Sequence, residues 1–223
     1  MRINKYLADQ DICSRREADR LIQEGKVFVN GIVAELGVDI KEGDKVEVIG
    51  YEKQYKYYAY HKPVGIVSHS PQEGEKSIQD ITDFGDDVFP VGRLDKDSRG
   101  LIILTNDGRI TKKLLEPKVQ MEKDYIVTLN RPISQADIEK LREGVKIDTG
   151  YHTKPCRIKR MSNDTIKITL TEGKNRQIRR MARALRYNVL DLLRIRIGHI
   201  ELNDIPEGGY RKLSEQKLLE VLS

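Results

Sequence analysis

Val91-Gly92-Arg93-Leu94-Asp95-Lys96-Asp97-Ser98-Arg99-Gly100-Leu101-Ile102-Ile103-Leu104-Thr105-Asn106 joins a charged loop to an apolar strand. The continuous run Leu101 to Leu104, closed by Asn106-Asp107-Gly108, reads as a strand buried on both faces and ending in a turn. Ahead of it, Asp95 lies between two glycines and among Arg93, Lys96 and Arg99. Nearby cations and hydrogen-bond donors keep such a carboxylate ionised even where water is partly excluded, as a nucleophile or general base requires. A plainer reading is a surface turn whose acid pairs with adjacent bases, a contact worth little to stability. Composition alone does not separate the two.

On either side the pattern is one of alternating strands and helices. Tyr58-Ala59-Tyr60 is a short strand, broken by His61-Lys62-Pro63-Val64-Gly65, where proline removes a ladder donor. Ile110, Leu114 and Leu115 mark a short helix stopped by Pro117. Glu122 to Leu129 alternates as a strand; Tyr125 within it reads most simply as a core aromatic. Ser134 caps a helix with Ile138 and Leu141 inward and Gly144 at its end. Two strands meet at Asn163-Asp164, one from Cys156 to Lys159 and one from Ile166 to Leu170. Leu190 to Ile197 is a further strand, Ile205 to Arg211 a loop, and Ser214 starts a last helix with Leu218, Leu219 and Leu222.

Gly173 to Arg186 carries two stripes. Ile178, Met181, Ala182 and Leu185 recur at helical spacing and face a core, while Arg176, Arg179, Arg180 and Arg183 form a cationic band beside them. From Lys174 to Arg196 there are eight Lys or Arg and one acid, Asp191, so this segment exceeds the whole chain's net charge of +5. Solvated basic helices usually interleave Glu; this one does not, which favours phosphate as the partner.

Residues 1–49 read as a separate module. Ile3 and Leu7 lie one helical turn apart, and Ser14-Arg15-Arg16-Glu17 has the spacing of a capping box that starts a second helix, ended at Gly25. Val27 to Val33 is a hairpin around Asn30-Gly31, and Lys45 to Ile49 a third strand. Arg15, Arg16 and Arg20 line the second helix, yet the module holds eight basic against ten acidic residues, so charge alone leaves RNA binding open. Polar residues 50–56 read as a linker with some flexibility, and residues 57–223 as the larger domain.

With 38% hydrophobic residues in 223, the chain can bury a real core. Its 34% charged content and basic excess suit a polyanion better than a membrane. No segment has the length of a transmembrane helix or the character of a signal peptide, which places the protein in the cytoplasm. Cys13 and Cys156 have neither zinc nor disulfide spacing, and no metal or dinucleotide motif is present.

Gly92-Arg-Leu-Asp95 followed by Gly100-Leu-Ile-Ile-Leu-Thr-Asn-Asp-Gly108 resembles the active-site motif of pseudouridine synthases that modify ribosomal RNA. Lys62-Pro-x-Gly65, Lys123-x-Tyr125 and the Gly173 to Arg186 segment resemble that family's other motifs, in the expected order. Leu7, Ser14-Arg15-Arg16 and Val27-x-Val29-Asn30-Gly31 resemble the RNA-binding module, named after a small-subunit ribosomal protein, that often precedes such synthases.

The resemblance implies an α+β protein: two helices and a small sheet, then a catalytic domain with a mixed, largely antiparallel sheet and flanking helices. It makes Asp95 the catalytic nucleophile, stacks Tyr125 on the target base and pairs Arg179 with Asp95. Arg93 fills the space the flipped base vacates. Lys62, Arg99, Lys174, Arg176, Arg180 and Arg183, with Arg15, Arg16 and Arg20 of the module, are the candidate RNA contacts. The implied partner is ribosomal RNA, with transfer RNA as a further substrate class, acted on by a monomer without cofactor. Phe89 to Ile102 and Thr153-Lys-x-Cys156 favour the large-subunit branch. Whether Asp95 attacks ribose or base, or abstracts a sugar proton, stays open. Relatives usually carry Gly at Arg186; a left-handed residue there costs on the order of 1 kcal/mol. The competing class is a non-catalytic RNA-binding assembly factor, which gives Asp95, Tyr125 and Arg179 no reason to occur together.

Overall fold

The computed structural model describes residues 1–85, 87–110 and 121–219. Helices α1 (Ile3–Asp9) and α2 (Arg15–Gln23) pack on a three-stranded antiparallel sheet of β1 (Val27–Val29), β2 (Ile32–Val33) and β3 (Val46–Val48). Ile3, Leu7, Ala18, Leu21 and Val27 form its core. Ser14 caps α2 by accepting from the Glu17 amide at 3.2 Å, but Glu17 turns to Arg20 instead of completing the box. Asn30 and Gly31 both take positive φ, as this hairpin turn requires.

Residues between β3 and the next strand are held at both ends and do not form a loose tether. Tyr51 packs against the module's core and Tyr55 against that of the larger domain. The Asn106 side chain holds the main chain on either side of Tyr55, accepting from the Lys56 amide at 2.8 Å and donating to the Gln54 carbonyl at 3.0 Å. Lys53 and Arg109 approach Asp11 at 3.0 and 3.3 Å, joining module to domain.

The larger domain is a mixed sheet of β4 (Tyr57–Lys62), β5 (Phe89–Val91), β6 (Arg99–Thr105), β7 (Lys123–Leu129), β8 (Arg157–Arg160), β9 (Thr165–Leu170), β10 (Val189–Ile197), β11 (Ile200–Glu201) and β12 (Tyr210–Lys212). The main path runs β12-β4-β6-β10-β7-β9-β8. Among the described strands only β6 and β10 pair in parallel, through Arg99 with Leu193 and Gly100 with Arg194. Helices α3 (Ile78–Ile81), α4 (Gln135–Glu143), α5 (Gln177–Ala184) and α6 (Glu215–Leu219) flank the sheet. The α+β reading holds, and β6 is buried on both faces. Leu101 and Ile103 join Tyr57 and Ala59 on one side; Ile102 and Leu104 join Tyr60 and Val88 on the other.

Several local expectations need correction. β4 continues through His61 and Lys62, because Pro63 begins only after the last ladder position. The stretch read as a loop from Ile205 to Arg211 ends in β12, an edge strand formed on β4. Arg186 does adopt left-handed geometry, at φ 63°. The expected helix through Leu114 and Leu115, and Leu222 of the last helix, lie outside the described residues.

Asp124 anchors the middle of the sheet. It is 2% exposed, accepts from Arg196 at 2.7 and 2.8 Å and from the Thr169 hydroxyl at 2.7 Å, and pairs with Lys167 at 2.7 Å. Burial opposes its charge, but the bonds from Arg196, Lys167 and Thr169 outweigh it and hold the carboxyl well below the usual range. Because its folded pKa is depressed, its stabilisation is present above the unfolded carboxyl pKa and lost as pH falls below it. Asp124→Asn is therefore expected to cost about 3 kcal/mol at neutral pH, with a difference from wild type that shrinks towards pH 2. Urea denaturation across pH measures both; a pH-independent difference would contradict this account.

Candidate active site

The loop from Gly92 to Ser98 is fixed by main-chain contacts. Ser68, buried, accepts from the Leu94 amide at 2.9 Å and donates to the Leu94 carbonyl at 2.8 Å. The Gly65 amide donates to the Lys96 carbonyl at 2.7 Å, and the Ser98 amide to the Asp95 carbonyl at 3.0 Å. Asp95 is thereby presented half-buried on the wall of a cleft of about 820 Å³, a volume suited to one nucleotide and its neighbours. Tyr125, 8% exposed, contributes to the same cleft from β7, and Arg93 stands exposed at its margin. Lys174 and Arg176 line it from the segment leading into α5, and Lys154 lines it as well.

Asp95, Tyr125 and Arg93 are thus brought together. Arg179 is placed differently from expectation: it turns to Asp97, with Nε 3.3 Å from the carboxylate and Nη2 donating to the Asp97 carbonyl at 2.6 Å. Its Nη1 donates to the Val189 carbonyl at 3.0 Å, so its reach is spent two residues beyond Asp95. Arg176, left-handed at φ 51°, pairs with Asp97 through two bonds of 3.0 and 2.6 Å. Burial pushes the Asp97 carboxyl up, yet the Arg176 hydrogen bonds and the two guanidinium charges hold it below its ordinary value.

The cationic band is correspondingly less free than the sequence implies, since acids from distant segments reach it. Arg180 pairs with Asp148 at 3.3 Å, while Arg183 is exposed. Arg99 holds Asp191 through bonds of 3.0 and 2.8 Å, tying β6 to β10. Lys62 is fully buried and cannot lie on RNA; its Nζ donates to the Pro63 and Ile66 carbonyls at 2.7 and 2.6 Å. Burial first, and the charge of Arg194 second, push its amine down to about 8, against the pull of Asp95 and Asp97. Arg20 is engaged by Glu17 and Glu24, whereas Arg15 and Arg16 are exposed on α2.

Two residues escaped the sequence reading. Ser68 carries no motif of its own. Arg194 lies in Leu193-Arg194-Ile195-Arg196-Ile197, where an arginine buried at 4% exposure hides in ordinary strand alternation. No helix among the described residues is long and apolar enough to cross a membrane, and no cluster of metal-ligating side chains occurs among them.

Known proteins resemble this chain over nearly its whole length. The chain is 43% identical to the dual-specificity RNA pseudouridine synthase RluF of Escherichia coli K12, over 99% of this chain and 78% of that one. It is 35% identical to ribosomal large subunit pseudouridine synthase B of Bacillus subtilis, over 100% and 96%. A crystal structure of a pseudouridylate synthase superposes with a TM-score of 0.73 at 27% identity, covering 99% of both chains. The S4 domain profile matches residues 1–46 and the RNA pseudouridylate synthase profile residues 56–184. With its carboxylate loop, cleft and N-terminal module in this arrangement, the chain belongs to the RNA pseudouridine synthase family.

Proposed function

We propose that this enzyme isomerises a uridine of large-subunit ribosomal RNA, with Asp95 as the reacting carboxylate. The observation that carries this reading is the placement of Asp95: half-buried at the cleft, on a loop clamped by Ser68, with Tyr125 in the same cleft. The target leaves its stack to reach Asp95, at an unstacking cost of a few kcal/mol. Tyr125 then stacks on the base, and Arg93 at the margin fills the gap left in the RNA. Arg179 acts through the Asp97 and Ser98 segment, positioning the loop just after Asp95. Lys174, Arg176, Arg183, Arg15 and Arg16 contact phosphates. Residues 1–49 form the RNA-binding module and residues 57–223 the catalytic domain, in a cytoplasmic monomer.

The similarity to a dual-specificity RNA pseudouridine synthase of Escherichia coli supports a second substrate. Small-subunit or transfer RNA would use the same chemistry. Pseudouridine mapping across ribosomal and transfer RNA, in cells with and without the gene, tests the reading. Loss of one large-subunit site, restored by wild type and not by Asp95→Ala, is the expected result. A lost site confined to small-subunit or transfer RNA would overturn the substrate, and no lost site would overturn the proposal.

A further inference from the structure

Arg194 sits on β10 between Gly100 of β6 and Tyr125 of β7. Its guanidinium bonds main chain before and after Asp95: Nε donates to the Leu101 carbonyl of β6 at 2.6 Å and Nη1 to the Arg93 carbonyl at 3.4 Å. Nη2 is buried and has no hydrogen-bond partner among the described residues, although Arg194 lines the cleft. An unpaired buried donor on a charged group is costly, so Nη2 calls for an acceptor that the described residues do not supply. The other charges around this floor do not supply that acceptor. Lys62 on β4 and Lys123 on β7 are cations whose amines are pushed down by burial and then by Arg194. Asp95 and Glu172 are carboxylates that line the cleft with Lys123, and neither accepts from Nη2.

We propose that the free Nη2 of Arg194 donates to a ring carbonyl oxygen of the flipped uracil. This deepens the function proposed above and rests on it. In the isomerisation the bond from ribose C1′ to N1 breaks with its electron pair passing to the ring, where the negative charge is shared with the ring oxygens. A bond from C1′ to C5 then forms, C5 loses its proton and N1 gains one, so nothing is oxidised or reduced. A guanidinium fixed by two main-chain carbonyls supplies a donor where that charge develops, with no reorganisation needed during reaction. Arg194 holds the freed base against Tyr125 while it turns.

The test uses full-length protein and in vitro transcribed large-subunit ribosomal RNA tritiated at uracil C5, with tritium release under single-turnover conditions as readout. Arg194→Ala is expected to bind the RNA within about twofold of wild type and to release tritium about 100-fold more slowly. Guanidinium ions should restore part of that loss, and should do nothing for Asp95→Ala. Anchoring alone could explain such rescue, so the uracil contact is read separately with synthetic RNA hairpins carrying 2-thiouridine or 4-thiouridine at the target. Sulfur is the poorer acceptor; one of the two should slow wild type about tenfold and leave Arg194→Ala unaffected. If neither thio substitution slows wild type, or both enzymes are slowed equally, the proposal is overturned, and the wild-type measurement decides even if the variant does not fold. A wild type that releases no tritium from any RNA overturns the functional reading instead.

Discussion

Asp95→Ala is expected to remain folded, to bind RNA as wild type does and to lose turnover by about 10⁴-fold or more. The carboxylate accepts no hydrogen bond from another described residue, whereas its loop is held by Ser68 on Leu94, by the Gly65 amide on Lys96 and by Ser98. Truncation therefore removes the reacting group and leaves its scaffold. Tritium release from uracil C5 measures the loss; filter binding and thermal melting measure what is retained. Residual turnover within tenfold of wild type would show that another group attacks.

Gly100→Ala is expected to be the most damaging small substitution in the sheet, costing about 4 kcal/mol or more. Gly100 takes φ 115°, outside the range comfortable for other residues. A Cβ there would overlap the Arg194 carbonyl oxygen and stand 2.6 Å from the Arg194 nitrogen. The parallel contact of β6 with β10 consists of this residue and Arg99, so the strands have little other pairing with which to resist being pushed apart. Activity should fall along with stability, since the same displacement pulls Arg194 from the Arg93 and Leu101 carbonyls on either side of Asp95. A urea midpoint close to that of wild type would refute the close approach of these strands.

Features whose physics is local could be read from the chain. Ser14 and Ser134 cap helices because the next turn has amides to satisfy, and Asn30-Gly31 turns because both residues tolerate positive φ. Leu101 to Leu104 was legible as a doubly covered strand because nothing polar interrupts it. Features set by a distant partner were not. Phe89 to Val91 becomes a strand despite Pro90 because it pairs at an edge of β6, and Tyr210 to Lys212 because β4 offers an open side. Motif order brought Asp95 and Tyr125 to one cleft, but it did not place Arg179 between two acids separated by one lysine; the chain folds it onto Asp97. Nor does a count of local charge foresee Asp97 and Asp148 arriving from elsewhere to neutralise Arg176 and Arg180.

The strand order also fixes when during synthesis the catalytic floor comes into being. β10 inserts between β6 and β7, so β7 leaves the ribosome with an unmet ladder edge, and β6 with Arg99 and Gly100 beyond the reach of β5, until residues 189–197 follow. The S4 domain, whose helices and hairpin contact one another over short separations, has no such wait. A nascent chain can thus acquire its RNA-binding module well before its chemistry, and Arg194, carried on the late strand, reaches the floor among the last of the cleft residues. Edges exposed in that interval are open to misassembly.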